Sequence, residues 1–505
     1  MVAPISPAHS FRLSPLEGFM PRTYVRQIFC FPTTDPQAVN TLVRGLSGVA
    51  RDVPYILSRV VSNKSGVVVC VSTPLQNPED IFSCHSLSDS IDYATLKAGH
   101  FAPGAFLAHG IIPPETVPPY TASSPVFVAR ASLINGGLIL CVAVHHAVTD
   151  ITGYDALLKI WAAHCRDGSS RTVEFNASWI DRGPLFSAPE RPPSGASMPD
   201  LLHTRTPEEP VRGAGRLHAA GQKNYQTGIF YFPQRHLRVL KAAVNEHVTS
   251  REPGSWISTS DILSSLLWNA IIGAQQHPLP LDTDLMTSQK NARISTLSFP
   301  VQFRSALRQP LPRNFLGAAF LMTSARVPHK DVCLISPFLS INSTSTAQGQ
   351  ESKHEPQVDA EAEVLINSVD ISALAQVALA IRRSIQRIDD AAVRGVLAYL
   401  EAHPDTDPEA PLVLGPPRCE AGGSGTSVVS WADQCVYELN WGDAIGRCDA
   451  VRLPKMAYKR DPIVLPHIPS LNRDDGGVED YEVDVMQRLI ESLVMRRFAA
   501  LRCLS

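Results

Sequence analysis

Leu138-Ile139-Leu140-Cys141-Val142-Ala143-Val144-His145-His146-Ala147-Val148-Thr149-Asp150 is an apolar run that stops at two histidines, with a carboxylate soon after the second. Such a run reads as a buried strand that carries an ionisable ring to the edge of a cavity. Upstream, Pro125–Ile134 is a second strand-like run, and Asn135-Gly136-Gly137 between the two is a hairpin turn signal. Downstream, Leu157, Leu158, Trp161, Ala162 and Cys165 recur at helical spacing, and Gly153 frees the chain to bend between strand and helix. The pattern predicts strand, turn, strand, bend and helix, with His146 on the short connection.

Spacing alone does not single out His146. His-x-x-x-Asp occurs at His85/Asp89, His146/Asp150 and His403/Asp407, where about one match is expected by chance. His85 lies in a Ser-rich polar stretch, and His403 precedes Pro404 and two acids in what reads as a solvated loop. Only His146 combines a second histidine, an apolar strand before it and a helix pattern after it. A neutral imidazole on a stiff connection suits general-base work, taking a proton from a hydroxyl or an amine. The structural alternative is a core histidine bonded to backbone. A metal pair is disfavoured, because neighbouring strand residues face opposite ways and His-Glu-x-x-His or paired-Cys spacing is absent. One of His145 and His146 should therefore face a cavity while the other packs.

Composition narrows the class. A chain of 505 residues exceeds one ordinary core and predicts two or three domains. The net charge of −3, with no basic block, excludes a phosphate-neutralising surface, so no nucleic-acid partner is expected. Ten cysteines without Cys-x-x-Cys predict a reduced, cytoplasmic protein with no structural zinc. No basic start leads into an apolar core and no apolar run reaches spanning length, so neither a leader nor a membrane partner is expected.

Along the chain, a strand from about Tyr24, a helix over 38–50, and strands over 55–61 and 66–71 predict helices on a mixed sheet. Periodicity fades between Arg182 and Gly221, which divides the chain into a first domain (1–190), a linker (191–222) and a second domain (223–505). The second opens with strand 227–232 and helix 236–247, followed by a hydroxyl-capped helix after Ser258-Thr259-Ser260. Residues 293–303 read as a strand ending at Arg304, 327–360 as a mobile insertion, and 371–388 and 391–401 as amphipathic helices. Glu420–Ser427 is Gly-rich but lacks the Lys-Ser/Thr of a phosphate loop, so a flexible connection is expected. Val436–Gly446 reads as a strand ending in an aromatic-glycine turn.

In chain order, His145–Asp150, the Ser258–Trp268 helix, Arg304 with Pro310-Leu311-Pro312 and Gly317, Ser430-Trp431 and Asn440-Trp441-Gly442 follow the sequence of motifs in BAHD acyltransferases. The chain resembles the fungal branch of that family that includes trichothecene 3-O-acetyltransferase-like enzymes. The resemblance implies an α/β fold of two chloramphenicol-acetyltransferase-like domains, each a mixed sheet with helices, separated by a solvent channel. It implies acyl transfer, most often acetyl, from acyl-CoA to a hydroxyl of a small specialised metabolite, by a monomer with no tightly bound cofactor and no metal. His146 would be the general base, with Asp150 as a structural support paired to Arg304. Ser258, Thr259, Ser430 and Trp431 would meet the coenzyme, and Asn440, Trp441 and Gly442 would be structural, in place of the family's Asp-Phe-Gly-Trp-Gly. The chain departs from the family at Ile151, Ala306, Ala318 and Val429; the last stands where relatives often carry a hydroxyl near the reacting carbonyl. Two other classes fit the same motif: a condensation-type or N-acyltransferase fed by a carrier protein, disfavoured by Asn440-Trp441-Gly442, and a catalytically inactive binding homologue.

Overall fold

The strands Phe127–Ile134 and Gly137–His145 form an antiparallel hairpin in which Ile134 faces Gly137. Gly136 turns the chain at φ +74°, a left-handed conformation that glycine reaches without a Cβ penalty. Every residue of Gly137–His145 is buried, because the strand is central in a five-stranded sheet. The order in that sheet is Ala450–Arg452, Tyr24–Phe31, Gly137–His145, Phe127–Ile134 and Phe82–Ser86, antiparallel except for the last pair. A strand covered on both faces can be apolar at every position, which is why no alternation marks it. The computed structural model describes residues 10–62, 68–72, 77–106, 110–117, 123–167, 175–186, 197–204, 225–275, 293–335, 366–403, 412–416, 424–454, 462–468 and 480–488.

Helix Ile151–Asp167 packs on helix Ala38–Asp52 and on one face of this sheet. Trp161 is buried between them and donates from its indole nitrogen to the Leu42 carbonyl at 2.9 Å. Leu42, Leu46 and Leu158 are buried beside it, each contributing about 1.5–3 kcal/mol by leaving water. The same core takes in Phe303, Phe315 and Leu316, then Val396 and Leu400 of helix Asp390–Ala402, and Trp441 and Val451. Late segments thus return to the sheet built by the first third of the chain.

A second core lies under helices Gln234–Arg251, Thr259–Gln275 and Ile371–Gln386. Its sheet pairs Ile294–Gln302 with Phe320–Pro328 antiparallel and with Ser424–Ser427 parallel. A four-stranded sheet orders Tyr225–Pro233, Asp480–Arg488, Ile463–Val464 and Val429–Ser430. Trp268 is fully buried here, and its indole donates to the Ser295 hydroxyl at 2.9 Å.

Several expectations change. Ser424–Ser427 is an edge strand, not a connection, since its backbone completes the ladder of Ile294–Gln302; residues 420–423 lie outside the described residues. Val436–Glu438 is a single 3-10 turn and the strand comes later, at Ala450–Arg452. The reason lies in the turn between them, where Trp441 N–H bonds to the Gly446 carbonyl at 3.0 Å and Gly442 and Gly446 hold φ of +90° and +78°. Within 327–360, Val327 and Pro328 close a strand and His329–Leu334 is a helix; residues 336–360 lie outside the described residues. In the linker region, Leu202–Thr204 pairs with Leu412–Leu414, while 191–196 and 205–222 lie outside the described residues. The run over 55–61 divides into a 3-10 turn at Pro54–Leu57, set by proline at the first position, and a strand at Ser58–Ser62.

Candidate active site

The strand Gly137–His145 ends at His145, whose ring is buried and meets Tyr24 edge-on at 5.1 Å. His145 Nδ1 accepts the Ala147 N–H at 3.1 Å. Burial pushes its imidazole down to about 3, with Arg22 and His146 adding repulsion. The ring is therefore neutral in the folded protein, whereas the unfolded chain would protonate it near 6.5. Its contribution to stability is complete above that unfolded value and is lost as pH falls from about 6.5 toward about 3, at up to ~1.4 kcal/mol per pH unit. His145→Gln should flatten the fall of the urea midpoint between pH 6 and pH 4. An unchanged slope in that titration would assign the acid sensitivity elsewhere.

His146 is half-buried. Its backbone N–H bonds to the Thr23 carbonyl at 2.7 Å, and its Nδ1 lies 3.0 Å from the Thr149 carbonyl. A carbonyl can only accept, so the contact requires the proton on Nδ1, and in the neutral ring the lone pair then sits on Nε2. The ring lies 6.0 Å from that of Phe320, which opens the strand Phe320–Pro328 and brings an apolar wall to the histidine.

Asp150 is buried. Its carboxylate meets Arg304 through two contacts of 2.8 Å and accepts the N–H groups of Gly153 and Ala319, each at 2.8 Å. Those four donors fill the acceptor sites of a carboxylate, leaving none for His146. Burial alone would raise this carboxyl, but Arg304 and the two backbone donors outweigh it and hold the group below the usual carboxylate value. Arg304 also donates to the carbonyls of Phe315 and Gly317 at 3.0 Å. Close approach fixes the glycines here, since a Cβ on Gly153 would sit 2.4 Å from the Leu316 carbonyl oxygen.

The remaining predicted residues are placed as follows. Ser258 caps helix Thr259–Gln275: its hydroxyl accepts the Asp261 N–H at 3.2 Å and donates to the Asp261 carboxylate at 2.8 Å, while Thr259 is the first helical residue. Asp261 is held in turn by Arg382. Ser430 is exposed at the end of the short strand Val429–Ser430, and Trp431 packs partly buried on the first core. Trp441 is fully buried between Phe31 and Trp161, at 5.9 and 5.3 Å. Asn440 accepts the Gly442 N–H at 3.0 Å, and a Cβ on Gly442 would lie 3.1 Å from Arg166 Cα. The structure thus joins His146, Asp150 and Arg304 in one neighbourhood, buries Trp441 in the first core, and sets exposed Asn440 on the turn that Gly442 makes.

One constellation escaped the sequence reading. Glu17 and Arg182, both buried, form an ion pair at 3.1 Å beside the same loop. Ser14-Pro15-Leu16-Glu17 carries the capping-box spacing that could have flagged a fixed carboxylate, and the box is formed. Arg182 gave no signal, because it stands where periodicity fades.

A family model described as the trichothecene 3-O-acetyltransferase-like N-terminal domain matches residues 23–165, and the model of the transferase family matches residues 107–377. The chain belongs to the transferase family, as a BAHD-type member. His146 and Asp150 fall within both matches and Arg304 within the second. This transferase is 25% identical to the O-acetyltransferase ptmV of Penicillium ochrochloron, covering 97% of this chain and 96% of that one. It is 23% identical to the fumigaclavine B O-acetyltransferase of Aspergillus fumigatus, covering 87% and 86%. Its fold is similar to that of F. sporotrichioides TRI101, solved as a complex with coenzyme A and T-2, with a TM-score of 0.67 over 97% of each chain at 18% identity. Vinorine synthase is similar at a TM-score of 0.54, 14% identity and coverage of 99% and 95%.

Proposed function

We propose that this transferase moves an acyl group, acetyl in the first instance, from acyl-CoA to a hydroxyl of a small specialised metabolite. The observation that carries the reading is the Nδ1 contact of His146 to the Thr149 carbonyl, which presents Nε2 as a base on a stiff loop. Nε2 takes the proton of the acceptor hydroxyl as its oxygen attacks the thioester carbonyl. The tetrahedral oxyanion then collapses, the carbon–sulfur bond breaks, and the imidazolium returns the proton to the departing thiolate. Two substrates held in one channel between the two cores would turn a bimolecular encounter into a step within one complex. In this reading Asp150 moves no proton, because its four acceptor positions are occupied. Full-length relatives bearing O-acetyltransferase names support the reaction class. The test is release of free thiol from acetyl-CoA by the purified protein across a panel of hydroxylated and amine acceptors. Turnover of a carrier-bound acyl group with none of acetyl-CoA would reject the reading in favour of a condensation-type enzyme.

Ser258, Thr259, Ser430 and Trp431 are assigned to the coenzyme. Ser258 also caps its helix, so Ser258→Ala is expected to lower stability by about 0.5–2 kcal/mol. If the assignment holds, calorimetry should also show weaker acetyl-CoA binding by the folded variant. An unchanged Kd beside the lost stability would leave Ser258 as a cap alone.

A further inference from the structure

The loop from His146 to Asp150 is held from two sides, and the reading of His146 as the base accounts for one of them. Asp150 and Arg304 tie the end of the loop to the segment Phe315–Ala319. The other tie runs through Glu17 and Arg182. Arg182 donates to the Val148 carbonyl at 3.1 Å, two residues past the histidine, and to the Ile180 carbonyl at 2.9 Å. It reaches Glu17 through contacts of 3.1 and 3.4 Å. Glu17 in turn accepts the Ala318 N–H at 3.2 Å, one residue before the Ala319 N–H that holds Asp150. The Trp179 carbonyl accepts the Leu316 N–H at 2.8 Å, so the strip carrying Arg182 grips the same segment. The Phe315 ring stands 5.3 Å from the Arg182 guanidinium and 5.8 Å from that of Arg304. Space confirms the fit, since a Cβ on Gly317 would lie 2.8 Å from Glu17 Oε1.

We infer that Glu17 and Arg182 are positioning residues for the transfer reaction: their ion pair fixes Val148 and Ala318, and so keeps the Thr149 carbonyl on His146 Nδ1. Burying an ion pair is not by itself a stabilising choice, because desolvation offsets most of the attraction and an apolar pair of like volume is often as good. What the pair supplies here is direction, with donors and an acceptor aimed at backbone groups on both sides of the catalytic loop. Removing one partner strands the other charge, so Glu17→Gln or Arg182→Gln alone can fail to fold. The neutral double variant E17Q/R182Q avoids the stranded charge and carries the test.

This inference rests on His146 as the base, and two readouts keep the failures apart. The first is turnover of acetyl-CoA with water as acceptor, per folded molecule. The second is the ring 15N spectrum of histidine-labelled protein, with the His146 signals assigned by their loss in His146→Ala. E17Q/R182Q should lose about 10- to 100-fold in kcat, the scale of a misplacement near 1 Å, with the KM for acetyl-CoA within about twofold. Its His146 nitrogens should move from the Nδ1-protonated tautomer toward a mixture of the two. Arg182→Lys, which keeps the charge and one donor, should recover part of both. Ring shifts identical to the parent protein, with or without a lower kcat, would overturn the inference. Full turnover by His146→Ala would instead remove the base reading, and the ring spectrum would still report whether the pair sets the tautomer.

Discussion

His146→Ala is expected to lower turnover of acetyl-CoA by roughly 10²–10⁴-fold, the usual range for a positioned general base, while the protein melts where the parent does. The expectation of an intact fold comes from the environment of the ring. His146 is half-buried, its side chain meets Thr149 and Phe320, and the backbone bond of its N–H to Thr23 survives truncation. His145→Ala has the opposite signature, because that buried ring packs on Tyr24 and accepts the Ala147 N–H. It should lose stability first and turnover only as a consequence. Near-full activity in His146→Ala, at any acceptor concentration, would remove the imidazole from the mechanism.

How far the sequence could be read follows from which forces set each element. The hairpin to His145, the helix after Asp150 and the helix over 371–386 were legible, because local periodicity and a glycine turn specify them without help from distant chain. Arg304 was placed through family likeness, and nothing local to it indicates that it crosses to Asp150, 154 residues earlier in the chain. Ser424–Ser427 was read as a connection because a short edge strand of small residues has no apolar signature; its partner, Ile294–Gln302, supplies the order. Val436–Glu438 was misassigned for the converse reason, since apolar and aromatic residues there serve a turn packed on the first core. Glu17 and Arg182 show the limit most plainly. A buried ion pair between residues far apart in the chain leaves no spacing to detect, and only the capping box around Glu17 hinted at a fixed carboxylate.

Asp150→Asn and Arg304→Gln should each lower both the melting temperature and the activity, with a stability loss of about 3–5 kcal/mol apiece. The size comes from stranding a charge: both side chains are buried, and each is the other's bidentate partner at 2.8 Å. Asp150→Asn also puts an amide where the carboxylate accepts the Gly153 and Ala319 N–H groups, so the turn into helix Ile151–Asp167 loosens together with the approach of Phe315–Ala319. The double variant should lose less than the two single losses combined, because the second change relieves the charge that the first left unpaired. The pH dependence carries the matching sign. The folded carboxyl is depressed below its ordinary value of 3.8, so the stability it confers is present above that value and is lost as pH falls through the lower folded value. Asp150→Asn should remove that portion of the acid dependence while leaving the part between pH 6 and pH 4 that belongs to His145. A proton-relay role for Asp150 predicts something different: turnover lost at unchanged stability, with no coupling to Arg304. Strict additivity in the double-mutant cycle would reject the pair as the support of the loop, and His146 would then owe its orientation to Thr149 and to the clamp of Glu17 and Arg182.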